Sequence, residues 1–332
     1  MPENEFAIIE DLFAPLAKGA AGAFGLKDDA ALLEASEYVV TKDILIAGVH
    51  FRDKDPLDLV AQKLLRVNLS DLAAKGARPV GYFLGCSWPK ITKRKDIAAF
   101  VDGLAQDQAA FRIDLFGGDT TVHTQDKAPL VLSATMFGTP PRHGVVPRSK
   151  AQAGDDLYVT GTIGDAGLGL KCLDGSEKFP RAHKTFLTER YQTPAPRLTL
   201  GGALTGLASA AIDVSDGLAA DCGHLLTASG DELGAIIRAE MIPLSEAGED
   251  WLQRQDSTDA AYGELASAGD DYEILFTAPP SRRRSVEMAA NVAKTPVARI
   301  GTILRGEGPD VSLINADGAA IPLKKRGFNH FK

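Results

Sequence analysis

The sequence predicts an α/β protein of two domains, and three observations carry that prediction. Segments with strand character alternate with segments of helical periodicity in both halves of the chain. At 332 residues the chain is long for a single hydrophobic core. Around 141–156, in PRHGVVPRSKAQAGDD, the periodicity gives way to Pro, Gly and charge. Such a stretch marks a domain boundary, which assigns 1–147 to an N-terminal domain and 148–332 to a C-terminal one.

The elements follow in order. Phe6, Ile9, Leu12, Phe13 and Leu16 stand at helical spacing and predict an amphipathic helix over 5–18. After a Gly-rich loop and GLKDDAALL, VVTKDILIAGVHF (39–51) reads as a strand with a polar Thr-Lys-Asp in its middle. DPLDLVAQKLLRVNLSDLAAKGARP is a long, largely buried helix that Asp55 and Pro56 open and Gly76 ends. PVGYFLGCSW is a strand, 92–111 a helix, IDLFGGDTT a strand running into a loop, and LVLSATMFGTP a further strand. The second half opens with DLYVTGTIGDAGLGL and, after a helix near 195–208, AAIDVSDGLAADCGHLL. Each reads as strand, turn and helix. Strands EILFTAP and VARIGTI flank a helix at about 281–293.

Composition excludes several function classes. A net charge of −8 argues against a phosphate-backbone partner, and the densest basic stretch, SRRRS at 281–285, is short. Three cysteines, Cys86, Cys172 and Cys222, are widely spaced without a CxxC, which fits a reducing compartment and neither a disulfide framework nor a zinc site. MPENEFAIIEDLF lacks the pattern of a signal peptide, and no apolar run approaches the ~18 residues of a membrane helix. The expected address is the cytoplasm, with no membrane and no nucleic-acid partner.

Aspartates recur where strands give way to loops or helices: Asp29, Asp43, Asp119, Asp213 and Asp216. Any one of them is compatible with a cap or an Asx-turn. Asp71 lies inside an apolar helix, where a carboxylate without a partner costs several kcal/mol. Carboxylates together with the hydroxyls of Thr41, Thr120 and Ser215 suit Mg²⁺, which takes oxygen ligands and bridges to nucleotide phosphates. Gly117-Gly118 allows close backbone approach to a phosphate, and the helix beginning near Asp216 offers a positive end. Common nucleotide motifs are missing. There is no Walker A loop and no HRD or DFG pair, and the glycines at 161, 164, 167 and 169 do not make GxGxxG.

Read in order, GLKDDAALL, VVTKDILIAGVHF, VNLSDLAAKGARP, GGDTT, RSKAQAGDDLYVTG, AIDVSDGLAAD, AGDDYEILFTAP and GFNHF resemble the thiamine-monophosphate kinases across nearly the whole chain. The pairing of NLSDLAA-x-GARP with IDVSDGL is shared with a superfamily that includes aminoimidazole ribonucleotide synthetase. The resemblance implies an N-terminal domain whose strands form a barrel across a homodimer, and a C-terminal α/β domain that closes the active site. It implies ATP as co-substrate and direct in-line phosphoryl transfer to thiamine monophosphate, the last step of thiamine diphosphate biosynthesis. Carried over by motif, Asp29, Thr41, Asp43, Asp71, Asp119, Asp213 and Asp216 hold several Mg²⁺ ions. Gly118, Arg148 and Ser215 contact ATP, and His50, Asp270 and Phe328 contact the thiamine phosphate. No single catalytic residue is assigned.

Two positions depart from the family pattern, and both are lysine: Lys27 two residues before Asp29, and Lys42 between Thr41 and Asp43. Either Lys42 faces solvent, because neighbouring strand residues alternate, or an ammonium enters the cluster, contacts ATP and replaces a bound cation. A smaller departure places Ala268 before Gly269. The alternative functions are another ATP-dependent enzyme of the superfamily, of the aminoimidazole ribonucleotide synthetase type, and a non-catalytic nucleotide-binding protein of the same fold.

Overall fold

The computed structural model describes residues 8–26, 33, 37–306, 308–323 and 327. The chain divides into two compact units, one of Met1–Leu72 with Arg78–Pro140, the other of Ala73–Ala77 with Pro141–Lys332.

In the first unit, β1 (Val39–Ile46), α1 (Leu57–Ala74), β2 (Arg78–Trp88), α2 (Arg94–Phe111), β3 (Asp114–Val122) and β4 (Val131–Thr139) follow one another. The strands form a four-stranded sheet in the order β1-β4-β2-β3. Only β2 and β3 run parallel; β1–β4 and β2–β4 are antiparallel. Along β4, Leu132, Ala134 and Met136 are buried while the residues between them are half-buried, so one face of the sheet lies against a core and the other does not. The core side meets the helices: Trp88 of β2 packs edge-on against Phe100 of α2, with ring centroids 5.4 Å apart. Arg66 of α1 forks onto the buried Asp107 of α2 at 2.7 and 2.8 Å. α1 is buried along most of its length, as its apolar sequence predicts, and Gly76 closes it with a left-handed φ of +71°.

The segment at 5–18 departs from the predicted α-helix. Over its described part a π-type turn, Ile9–Phe13, passes into a 3₁₀ turn, Ala14–Ala17. Pro15 is the reason, since it has no N–H to return to the preceding turn.

The second unit holds β5 (Asp156–Thr160), α3 (Asp165–Asp174), α4 (Arg181–Gln192), α5 (Leu198–Leu204), β6 (Ala210–Asp213), α6 (Leu218–Ser229), β7 (Leu233–Arg238), α7 (Glu246–Gln253), α8 (Thr258–Ser267), β8 (Ile274–Ala278), α9 (Arg283–Ala293), β9 (Val297–Arg305) and β10 (Asp310–Ile314). Its six-stranded sheet runs β10-β7-β9-β5-β8-β6. β5 lies inside the sheet and all its residues are buried. Leu157 and Val159 enter a core shared with Leu218, Cys222 and Leu225 of α6. Tyr158, on the opposite face, enters a second core with Phe276, with Leu200 of α5 and with Val286 of α9. The alternation of one strand thus commits helices to both faces of the sheet.

Candidate active site

In the first unit the polar interruption of β1 resolves by alternation. Thr41 and Asp43 point toward α1, where the Thr41 hydroxyl donates to Asp71 Oδ2 at 2.5 Å. Asp43 Oδ2 is buried without a hydrogen-bond partner. Burial first, and then the charge of Asp71, push the Asp43 carboxyl up to about 7, against a smaller opposing pull from Lys42. Two carboxylates in a poorly solvated place, one with an orphaned oxygen and a hydroxyl alongside, fit a divalent cation with oxygen ligands.

Lys42 is not part of this cluster. Its ammonium donates on the other face of the sheet, to Ser133 Oγ at 2.5 Å and to Thr135 Oγ1 at 3.4 Å on β4. Of the two placements open to Lys42, strand alternation gives the one across the sheet from the carboxylates. His50 follows β1 in a turn and accepts the Ile46 N–H at Nδ1, 3.0 Å away. That bond leaves the proton of the neutral ring on Nε2, which makes Nε2 a donor.

Gly118 and Asp119 stand on β3, at the opposite edge of the sheet from β1. Pairing puts Asp43, Ala134, Leu84 and Gly118 in one cross-strand row. Three strand spacings separate its ends by ~14 Å. One copy of the sheet therefore does not bring Asp119 onto Asp43. A Cβ on Gly118 would run into the Leu84 carbonyl oxygen, so the glycine permits the close β2–β3 approach.

In the second unit, Asp213 ends β6 and is buried opposite Ile274. The loop after it is held by Asp221, a residue the sequence reading did not single out. Asp221 Oδ2 accepts the backbone N–H groups of Ser215, Asp216 and Gly217 at 3.0, 3.0 and 3.1 Å. The positive end expected to meet phosphate at the start of α6 is thus directed at this carboxylate. Burial, and next the Asp216 charge, raise Asp221 to about 7 despite those donors. Asp216, Asp221 and the exposed His224 bring potential ligand atoms within 4.8 Å of one another.

Two predicted motifs meet here through their backbones. The Asp270 N–H donates to Ser215 O, the Tyr272 N–H to Val214 O and the Val214 N–H to Glu273 O, each at 2.8 Å. Asp270 and Tyr272 adopt left-handed φ values of +70° and +50°. Arg148 is exposed, and its carbonyl accepts from Ser229 Oγ at 3.2 Å, at the far end of α6 from Ser215. The twelve residues of α6 span ~18 Å, so the structure does not bring Arg148 and Ser215 together. Asp29, Lys27 and Phe328 lie outside the described residues.

The sequence reading also passed over Asp271 and Glu273, both fully buried. They alternate with Asp270 and Tyr272, and two acids at alternate positions running into an apolar strand were the available signal.

Fold and site together define a protein of the AIR synthase-related class, and residues 27–139 match the family model described as AIR synthase related protein, N-terminal domain. Over 310 residues the chain is 44% identical to the thiamine-monophosphate kinase of Caulobacter vibrioides, covering 92% of this chain and 86% of that protein. The crystal structure of thiamine-monophosphate kinase from Stenotrophomonas maltophilia K279a superposes with a TM-score of 0.77 at 39% identity, covering 89% of this chain and 90% of that one. A solved AaThiL complexed with AMPPCP and TMP superposes with a TM-score of 0.76 at 26% identity, covering 94% and 98%. The chain belongs to the thiamine-monophosphate kinase family.

Proposed function

We propose that this chain transfers the γ-phosphoryl group of ATP to thiamine monophosphate, giving ADP and thiamine diphosphate. The relative solved with AMPPCP and TMP carries ligands of these two classes. The observation that carries the reading on this chain is the Thr41–Asp71–Asp43 cluster, with an orphaned carboxylate oxygen and a carboxyl raised by burial. The attacking group is a phosphate monoester whose second pKa of about 6 leaves it largely ionised at neutral pH, so the reaction asks for no general base. It asks for two anions to be held in line.

Asp43, Asp71 and Thr41 in the first unit, and Asp213 and Asp216 in the second, fit as Mg²⁺ ligands, with Asp119 and Asp29 added by the resemblance. Mg²⁺, when bound, supplies the positive charge that offsets the repulsion between donor and acceptor phosphates. Gly118 and Ser215 are proposed to contact ATP, with Arg148 reaching it from the other end of α6, and Lys42 is proposed to stay outside the carboxylate cluster. His50, with Nε2 as donor, suits an acceptor phosphate oxygen. Asp270 and Phe328 contact the thiamine moiety.

The first unit is proposed to pair with a second copy through the sheet face away from α1 and α2. That face exposes Val40 and Ile44 and carries a cluster of Tyr38, Phe83, Phe116 and Phe137, with centroids 5.8–6.0 Å apart. No helix among the described residues is long and apolar enough to cross a membrane, and a cytoplasmic address is proposed.

The test measures ADP and thiamine diphosphate formed from ATP and thiamine monophosphate, with and without Mg²⁺. Equal, metal-dependent amounts of both products are expected. ATP binding with neither product would favour a nucleotide-binding protein of the same fold, and turnover only with a ribonucleotide would favour another enzyme of the superfamily.

A further inference from the structure

The segment 270–273 presents two residues outward and anchors two inward. Asp270 and Tyr272 are half-buried, while Asp271 and Glu273 are 0% exposed. The outward pair adopts left-handed φ values, which bring a non-glycine Cβ too close to its own backbone. Something must hold them there, and the anchors of the inward pair are all visible.

The Asp271 carboxyl oxygens accept the backbone N–H groups of Gly164 and Ala166, at the start of α3, at 2.7 and 3.2 Å. Glu273 accepts from Thr160 Oγ1 at 2.6 Å, from Arg190 Nη2 at 2.8 Å and from the Arg197 fork at 2.7 and 2.5 Å. Arg190 Nη2 also donates to the carbonyl of Asp271 at 3.3 Å. Arg190 therefore grips the segment at both inward residues. Gly161, at a φ of +59°, lies so close to Glu273 that a Cβ would run into its carboxylate, which leaves the acid one position.

Arg190 is itself incompletely satisfied. Its Nε is buried without a hydrogen bond and stands 3.9 Å from Asp165 Oδ2. Fixing one segment with a buried guanidinium that still lacks a bond is costly for packing alone. Held this way, residues 270, 272 and 273 pair with Val214 and Ser215, so the conformation of one motif is passed to the other.

We propose that Arg190 is a positioning residue for the thiamine-phosphate end of the site: by gripping the Asp271 carbonyl and the Glu273 carboxylate, it sets the left-handed turn that aims Asp270 at the substrate. This rests on the reading of Asp270 as a substrate contact. Lysine in place of Arg190 keeps the charge and loses the fork.

The experiment is a double-mutant cycle on the full chain with Arg190→Lys, Asp270→Asn and both, reading KM for thiamine monophosphate separately from kcat. Arg283→Lys, which breaks a fork onto buried Asp156 elsewhere in the unit, is the control and leaves that KM within about twofold. Arg190→Lys and Asp270→Asn each raise it about tenfold, the size of one lost charge-assisted hydrogen bond. The double variant is no worse than the poorer single, because both act through one contact. If Arg190→Lys is too unstable to purify, Glu273→Gln loosens the same grip from the other side and predicts the same rise. A folded Arg190→Lys with unchanged KM, or fully additive effects in the double variant, overturns the proposal while Asp270→Asn still shifts KM. An unchanged KM in Asp270→Asn overturns instead the reading of Asp270 on which the proposal stands.

Discussion

Lys42 donates to Ser133 and Thr135 on the face of β1 away from Asp43 and Asp71. Lys42→Thr therefore leaves the Mg²⁺ dependence of turnover within about twofold of the parent, since what it removes lies across the sheet from the carboxylates. A metal titration in which the variant needs several-fold more Mg²⁺ would return Lys42 to the cluster. Asp271 makes a second prediction at this scale. Burial above all raises its carboxyl, to about 8, against the pull of the Gly164 N–H, Arg190 and the Ala166 N–H. A group raised in the folded state favours folding below its ordinary value near 3.8, and that stabilisation is lost as pH rises toward the folded value. Stability to urea, measured in EDTA, should fall between pH 5 and 8 and level off above. Asp271→Asn, which cannot ionise, should flatten part of that slope, and an identical slope in both proteins counts against the buried-acid account.

Strand pairing gives the clearest case at the scale of elements. Gly118→Ala drives a methyl into the Leu84 carbonyl, so β2 and β3 must part locally. The expected loss is ~1–3 kcal/mol, the usual cost of overpacking, read as a lower midpoint of chemical denaturation. How legible each element was follows from its burial. The helix at 57–74 announced itself because apolar residues recur in every one of its turns, and β5 because all its residues are buried. β10 escaped because it is short and half-exposed. α4 escaped because RAHKTFLTERYQ buries only Leu187, Arg190 and Tyr191. The site residues behave the same way. Asp43 and Asp213 were legible as carboxylates at strand positions. Asp271 and Glu273 were hidden in what reads locally as a Gly-Asp turn, and their meaning depends on Arg190 and Arg197, some 75–85 residues away in sequence.

At the scale of the whole molecule, the first unit poses a geometric problem that a second copy would solve. Its sheet is open, with the Asp43 strand at one edge and the Gly118-Asp119 strand at the other, ~14 Å apart along one cross-strand row. Joining two such sheets into a closed barrel would place the β1 edge of one copy beside the β3 edge of its partner, and closure also removes unpaired edges. The sheet face available for this exposes Val40 at 52% and Ile44 at 48%, more apolar surface than a solvated strand needs. Ile44 points away from Asp43 and Asp71, so Ile44→Glu changes that face and not the carboxylate cluster. Desolvating a glutamate from each copy at such an interface costs several kcal/mol, enough to shift a micromolar dimer to monomer. Light scattering should therefore report a folded monomer, and turnover of ATP with thiamine monophosphate should fall at least tenfold because each site would lack the opposite edge. A monomeric Ile44→Glu that keeps full turnover would mean that one copy completes its own site, and the two edges would then need another route to each other.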